Sequence, residues 1–98
     1  EEEYKIVIEA LITKYVSSAE KVLCELKKTQ TPITIEDKAV CEVLSWVTHY
    51  LDDAKYYKAQ GKFETSLTSV AYCEGLLDAL RLIGAVNFEW PTKQQEKE

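Results

Sequence analysis

The residues best suited to chemistry lie in the second half of the chain, where carboxylates, tyrosines and one arginine recur at helical spacing. Glu74 and Asp78 are four residues apart and share a helical face, and Arg81 follows Asp78 by three. Carboxylates around one cation can bind a divalent ion, or they can form a polar network that fixes helix register, and we favour the structural role. The candidate polar cluster, functional or structural, is Asp53, Tyr57, Tyr72, Glu74, Asp78 and Arg81.

The sequence lacks the residue sets that metal-dependent or hydrolytic catalysis requires. His49 is the only histidine, and Asp53 follows it by four residues, a spacing that lets the two pair on one helix. A zinc site needs three or four ligands, and Cys41 does not complete such a set with His49. Carboxylate bundles that bind two metals add Glu-x-x-His motifs, which this sequence lacks, and no nucleophile elbow is present. We therefore expect no metal, no cofactor and no catalytic residue, and we do not expect an enzyme.

The cysteines indicate the compartment. Cys24, Cys41 and Cys73 are odd in number and form no C-x-x-C motif, whereas secreted disulfide scaffolds use an even number in a denser framework. Each cysteine lies among apolar residues in a helical pattern, where a free thiol packs as a small hydrophobic side chain. We therefore expect a cytoplasmic protein.

Charge and hydropathy argue against several partners. Twelve Lys and Arg against seventeen Asp and Glu leave a formal net charge of −5 over 98 residues, whereas duplex nucleic acid is bound by a basic face. No apolar run approaches the roughly 18 residues of a membrane span. Lys55, Lys58 and Lys62 flank Tyr56 and Tyr57, and such interleaving can bind single strands by charge and stacking. A solvated helix end is the simpler interpretation of this stretch.

Three predicted helices position these side chains. Apolar residues recur at steps of three and four from Glu3 to about Lys28, from a Thr34–Asp37 capping box to about Gln60, and from about Phe63 to Ile83. Gly61 and Gly84 are expected to end the second and third helices. The pattern predicts an all-α fold, an antiparallel three-helix bundle with long helices and a short C-terminal tail. The bundle would occupy residues 1–84 and the partly disordered tail residues 85–98.

Packing of the third helix can also be predicted. Its main apolar stripe is Phe63, Leu67, Val70, Cys73, Leu77 and Leu80. Gly75 lies in the middle of this helix at a cost of about 1 kcal/mol relative to Ala, and we expect close approach of a neighbouring helix there.

In the tail, Phe88 and Trp90 are expected to fold back on the bundle end or, alternatively, to contact a partner protein. The start at Glu1 rather than Met is typical of a domain cut from a longer protein.

Two stretches carry a family resemblance. The first is an Asp-Ala, an aromatic pair and a hairpin glycine, and the second is Tyr-x-x-Gly-Leu-Leu-Asp-Ala with a closing glycine. The matching residues are Asp53, Ala54, Tyr56, Tyr57, Gly61, Tyr72, Gly75, Leu76, Leu77, Asp78, Ala79 and Gly84. The chain resembles the archaeal domain-of-unknown-function family 357 over about half its length. The resemblance implies a three-helix bundle from archaeal cytoplasmic proteins with no assigned activity.

A weaker resemblance concerns the same segment. Ala54, Tyr57, Gly61, Phe63 and Leu67 are similar in spacing to one tetratricopeptide unit. A stable array needs about three such repeats, so one unit is a limited signal. Both resemblances describe helical hairpins that present a groove.

Three functions follow as hypotheses. The leading one is a non-catalytic helical module that binds a protein partner or a second copy of itself as a homodimer, because a thin bundle carries excess apolar helical surface. The first alternative is a small-ligand or divalent-metal site formed by carboxylates and tyrosines between helices two and three. The second alternative is weak binding of single-stranded nucleic acid by the Lys55–Lys62 turn.

Overall fold

The computed structural model describes residues 1–91, which form three α-helices and no strand. Helix α1 spans Glu2–Glu25, α2 spans Asp37–Ala59 and α3 spans Phe63–Leu82. The predicted all-α class is therefore confirmed. None of the three helices combines the length and apolarity that a bilayer crossing requires. The disorder expected for the end of the tail concerns residues 92–98, which lie outside the described range.

The chain divides into two compact units, Glu1–Ile33 and the residues from Thr34 onwards. The first unit contains α1, whose residues are all exposed except the half-buried Ile8. This helix is shorter at its C-terminal end than predicted, since Leu26 already has extended backbone with φ −63° and ψ 148°. The second unit contains α2, α3 and the segment that follows them.

In the second unit, α2 and α3 are antiparallel neighbours joined by the short link Gln60–Lys62. The buried side chains between them are Val47 and Ala54 from α2, and Cys73 and Leu80 from α3. Since the distance between two helix axes depends on the side chains at the contact, small residues such as alanine and cysteine allow close approach. The core of this hairpin is consequently a narrow seam.

The face that α3 packs against α2 differs from the predicted stripe near the start of the helix. Phe63 and Leu67 are 65% and 69% exposed, so their assignment to the core is wrong. Ser66 is half-buried instead, and its Oγ donates a hydrogen bond of 2.6 Å to the carbonyl of Ala54 in α2. Serine can face the neighbouring helix because this carbonyl satisfies its hydroxyl.

The capping box predicted for α2 is also wrong. The N-cap is Glu36, whose side chain makes no capping hydrogen bond, and Thr34 lies two residues before it. Asp37 occupies the first turn of the helix. A carboxylate at that position interacts favourably with the positive end of the helix dipole.

Gly61 and Gly84 have the predicted role at the ends of α2 and α3, with φ of +77° and +79°. At the end of α3, the N–H of Gly84 bonds to the carbonyl of Arg81, and the N–H of Ala85 bonds to the carbonyl of Leu80. This pair of bonds is the Schellman motif, and α2 closes around Gly61 in the same way. Glycine suits these positions because a side chain is strained at positive φ.

Gly75 does not have the predicted role. Apart from its chain neighbours and the backbone of its own helix, a Cβ atom built on Gly75 would meet no atom within 4 Å, and the residue is exposed. The expected close approach of a helix at this position is therefore wrong. Without such an approach, nothing offsets the low helix propensity of glycine.

Replacing Gly75 by Ala is expected to raise the free energy of unfolding by about 1 kcal/mol, because alanine is the better helix former. Urea denaturation followed by circular dichroism measures this difference. Gly84→Ala is the matched control: the same change at φ +79° is expected to lower the stability. A Gly75→Ala variant less stable than the native chain would contradict the open environment of this residue.

Candidate functional site

An open groove of about 260 Å³ lies between α2 and α3. The residues that line this aromatic groove are Val43, Trp46, Tyr50, Tyr72 and Leu76. The three from α2 are spaced i, i+3, i+7 and the two from α3 are spaced i, i+4, so each set shares one helical face. None of the five side chains carries a charge at neutral pH.

Ring contacts organise the aromatic groove. The rings of Tyr50 and Tyr72 meet across the helix pair with centroids 4.5 Å apart, and Trp46 stacks near Tyr50 at 6.1 Å. His49 presents its ring edge-on to Trp46 at 5.7 Å and to Tyr50 at 5.5 Å. Such contacts hold aromatic rings in preferred orientations. Trp46 and Tyr72 nevertheless remain 51% and 54% exposed, so much of the ring surface faces solvent.

The helical stretches around the aromatic groove contain carboxylates and no cationic side chain. Neither residues 39–54 nor residues 63–80 include a Lys or an Arg. The carboxylates in these stretches are Glu42, Asp52, Asp53, Glu64, Glu74 and Asp78. As the spacing predicts, His49 Nε2 lies 3.5 Å from Asp53 Oδ2, an ion pair when the imidazole is protonated. The aromatic groove thus lies on two helical stretches whose sequence is acidic.

Among the six residues of the predicted polar cluster, Asp78 and Arg81 bond to each other, whereas Asp53, Tyr57 and Tyr72 contact residues outside the cluster. Asp53 forms the histidine pair described above, and Tyr72 lines the aromatic groove. The ring of Tyr57 packs edge-on against Tyr56 at 5.3 Å, and Lys62 Nζ lies 6.0 Å from the centroid of Tyr57. Within residues 1–91, no three His, Cys, Asp or Glu side chains gather in a way that could hold a metal ion.

Asp78 and Arg81 hold the C-terminal segment, residues 85–91, against α3. Arg81 Nη2 and Trp90 Nε1 both donate hydrogen bonds to Asp78 Oδ1, at 3.1 Å and 2.8 Å. Phe88 packs edge-on against Trp90 at 5.0 Å and lies 5.6 Å from the Arg81 guanidinium. Phe88 and Trp90 therefore fold back as predicted, whereas their role as partner contacts stays a prediction.

The buried thiol in the second unit belongs to Cys73, which is 3% exposed. Burial, and to a smaller extent the carboxylate of Glu74, raises the pKa of this thiol. The prediction that a cysteine packs as a small core residue is confirmed here. It is wrong for Cys24 and Cys41, which are exposed, and the Cys41 thiol contacts Asp37 Oδ2 at 3.7 Å.

Sequence periodicity assigns Tyr50 and Val43 to the core stripe of α2 and gives no role to Trp46. The spacing of Trp46, His49 and Tyr50 is the signal that could have located the aromatic groove, since residues at i, i+3 and i+4 share a helical face. Pairing that face with Tyr72 requires knowledge of how the two helices are rotated. Periodicity in one helix does not provide that rotation.

The model of one protein family matches residues 14–86, which include the second half of α1 and all of α2 and α3. The family is described as a protein of unknown function, DUF357. No curated protein and no solved structure matches the chain. The matched range contains every residue of the aromatic groove and ends before Phe88 and Trp90.

Acidification is expected to release the C-terminal segment. The hydrogen bond from Trp90, followed by that from Arg81, holds the pKa of Asp78 below its ordinary value of 3.8. A carboxyl with a lowered pKa in the folded state stabilises the fold above its ordinary pKa, and this contribution is lost as the pH falls through the lower value. The fluorescence of Trp90 should therefore change toward that of solvated indole as the pH falls below 3.8.

This titration is best followed in a Trp46→Phe background, so that Trp90 is the only tryptophan. The Asp78→Ala variant is expected to show the released spectrum already at pH 7 and no further change below pH 3.8. If the chain with its native Asp78 and the Asp78→Ala variant gave the same Trp90 emission spectrum at neutral pH, this would show that Asp78 does not hold the C-terminal segment.

Proposed function

This chain belongs to the DUF357 family of proteins of unknown function, and we propose that it is a non-catalytic helical module that binds an apolar helix of a partner protein. The observation that carries the proposal is the aromatic groove between α2 and α3, with Trp46 and Tyr72 half exposed at its surface. Exposed contiguous apolar surface of this kind marks interaction sites in soluble proteins. Tryptophan and tyrosine are also the residues that most often contribute large binding energies.

The shape of the aromatic groove favours a helix over a small molecule. Its volume of about 260 Å³ lies below the roughly 300–1,000 Å³ of small-molecule pockets, and it is open to solvent. A volume of this size suits one or two side chains. A helix that lies in a groove contributes such side chains at i, i+3 or i+4, and i+7.

The charges near the aromatic groove favour a partner with basic flanks. The stretches 39–54 and 63–80 contain carboxylates without Lys or Arg, so a cationic helix meets a complementary field. Lysine or arginine side chains of the partner can in addition lie over the exposed faces of Trp46 and Tyr72. We therefore define the partner as an amphipathic helix with an apolar stripe between Lys or Arg residues.

The non-catalytic part of the proposal is supported by the arrangement of the ionisable groups. Asp53 and Asp78 pair within their own helices, with His49 and Arg81. These pairs occupy groups that acid–base chemistry would need to reach a substrate. We also propose a cytoplasmic location, which the three free cysteines support.

A synthetic amphipathic helix with a Leu stripe and Lys flanks is the direct probe, with the same stripe between Glu flanks as its control. Titration calorimetry is expected to show binding of the Lys peptide that weakens as salt rises, because exposed charges are screened. The Glu peptide should bind less tightly at low salt. Equal affinity for both peptides would contradict the charge argument, and no binding of either would contradict the groove proposal.

Two tyrosine variants locate the binding surface. Tyr72→Ala is expected to weaken binding of the Lys peptide by about tenfold or more, since aromatic anchors dominate such interfaces. Tyr56→Ala is the matched control, because Tyr56 is 60% exposed but lies outside the aromatic groove. A similar loss in both variants would place the binding elsewhere.

A further inference from the structure

We propose that His49 makes binding at the aromatic groove dependent on pH, because protonation of its imidazole weakens the binding of a partner helix that carries Lys or Arg. This inference rests on the function proposed above and adds a means of regulation to the same site. It depends on contacts within α2, on the charges in the helical stretches that carry the groove, and on the ordinary chemistry of histidine.

His49 lies directly beside two of the residues that line the aromatic groove. Its ring centroid is 5.7 Å from that of Trp46 and 5.5 Å from that of Tyr50, and Trp46 is 51% exposed at the groove. Residues at i, i+3 and i+4 share a helical face, so α2 alone sets these contacts. A change in the charge of the imidazole therefore occurs next to the wall of the groove.

His49 is the one side chain in the helical stretches around the groove that can become cationic. It is the only histidine of the chain, and neither residues 39–54 nor residues 63–80 include a Lys or an Arg. Its Nε2 lies 3.5 Å from Asp53 Oδ2. The neutral imidazole leaves the charge of Asp53 uncompensated, whereas the imidazolium forms an ion pair with it. Protonation therefore removes one unit of the negative charge that attracts a cationic partner.

The other titratable groups around His49 are of types that do not change charge in the same pH range. On α2 it contacts Asp53, and the ring contact between the two helices places Tyr72, Cys73 and Glu74 at the same level of α3. Carboxylates ordinarily titrate below about pH 5.5, and tyrosine and cysteine above about pH 7.5. Burial raises the pKa of the Cys73 thiol further. Histidine is the residue type that changes charge between these values.

The test measures the affinity of the Lys peptide for the full chain by titration calorimetry at pH 7.5 and at pH 5.5, at low salt. We expect the affinity to fall by about two- to fivefold at the lower pH, which is the effect of one charge at a distance of about 10 Å near a protein surface. The Glu peptide is the matched control, since its affinity should rise over the same change. A fall for both peptides would indicate a loss of structure and overturn the proposal.

Two substitutions fix the charge at this position. His49→Gln cannot become cationic, so its affinity for the Lys peptide should be the same at both pH values. His49→Lys stays cationic, so it should bind the Lys peptide weakly at both. A pH dependence that persists in His49→Gln would overturn the assignment to this residue. Circular dichroism at both pH values checks that each variant keeps its helical content.

Fluorescence gives a readout that needs no peptide. In a Trp90→Phe background Trp46 is the only tryptophan, and its emission should change between pH 7.5 and pH 5.5 with His49 present and stay constant in His49→Gln. Constant emission in both would show that the imidazole does not act on the groove. Equal affinity for the Lys peptide at both pH values overturns the pH dependence alone, whereas no binding at any pH overturns the proposed function as well.

Discussion

The close pairing of α2 and α3 through a narrow seam is the constraint on which the rest of the second unit depends. The buried side chains of this seam are Val47 and Ala54 from α2, and Cys73 and Leu80 from α3. Tyr50 and Tyr72 lie at the margin of this seam, where their contact forms one wall of the aromatic groove.

The turn between the helices fixes which residues face each other across this seam. The hydrogen bond from Ser66 to Ala54 and the ring contact of Tyr72 with Tyr50 lie symmetrically about the turn at Gln60 and Gly61. A left-handed glycine in a Schellman motif ends α2 at a defined residue, and a short link then reverses the chain. A change in this turn would shift the register of every contact in the pair.

Local signals predicted the parts of this structure that depend on neighbours in the chain. The helices, their glycine ends and the His49–Asp53 pair all follow from spacing within a few residues. The parts that failed depend on contacts across space. Leu67 is exposed while Ser66 is half-buried, and the burial of Ser66 is favourable only because the carbonyl of Ala54 lies opposite it. The candidate polar cluster was grouped by residue type and by spacing within each helix, which do not give the rotation of one helix against the other, so its joint role stays a prediction.

The three cysteines differ in burial, so their rates of chemical labelling report how often α2 and α3 separate. Cys73 lies in the seam, so an alkylating reagent reaches its sulfur only while α2 and α3 are apart. Cys24 and Cys41 are accessible in the closed molecule and serve as an internal reference. The ratio of the labelling rates therefore reports the fraction of time that the helix pair is open, with no change to the natural sequence.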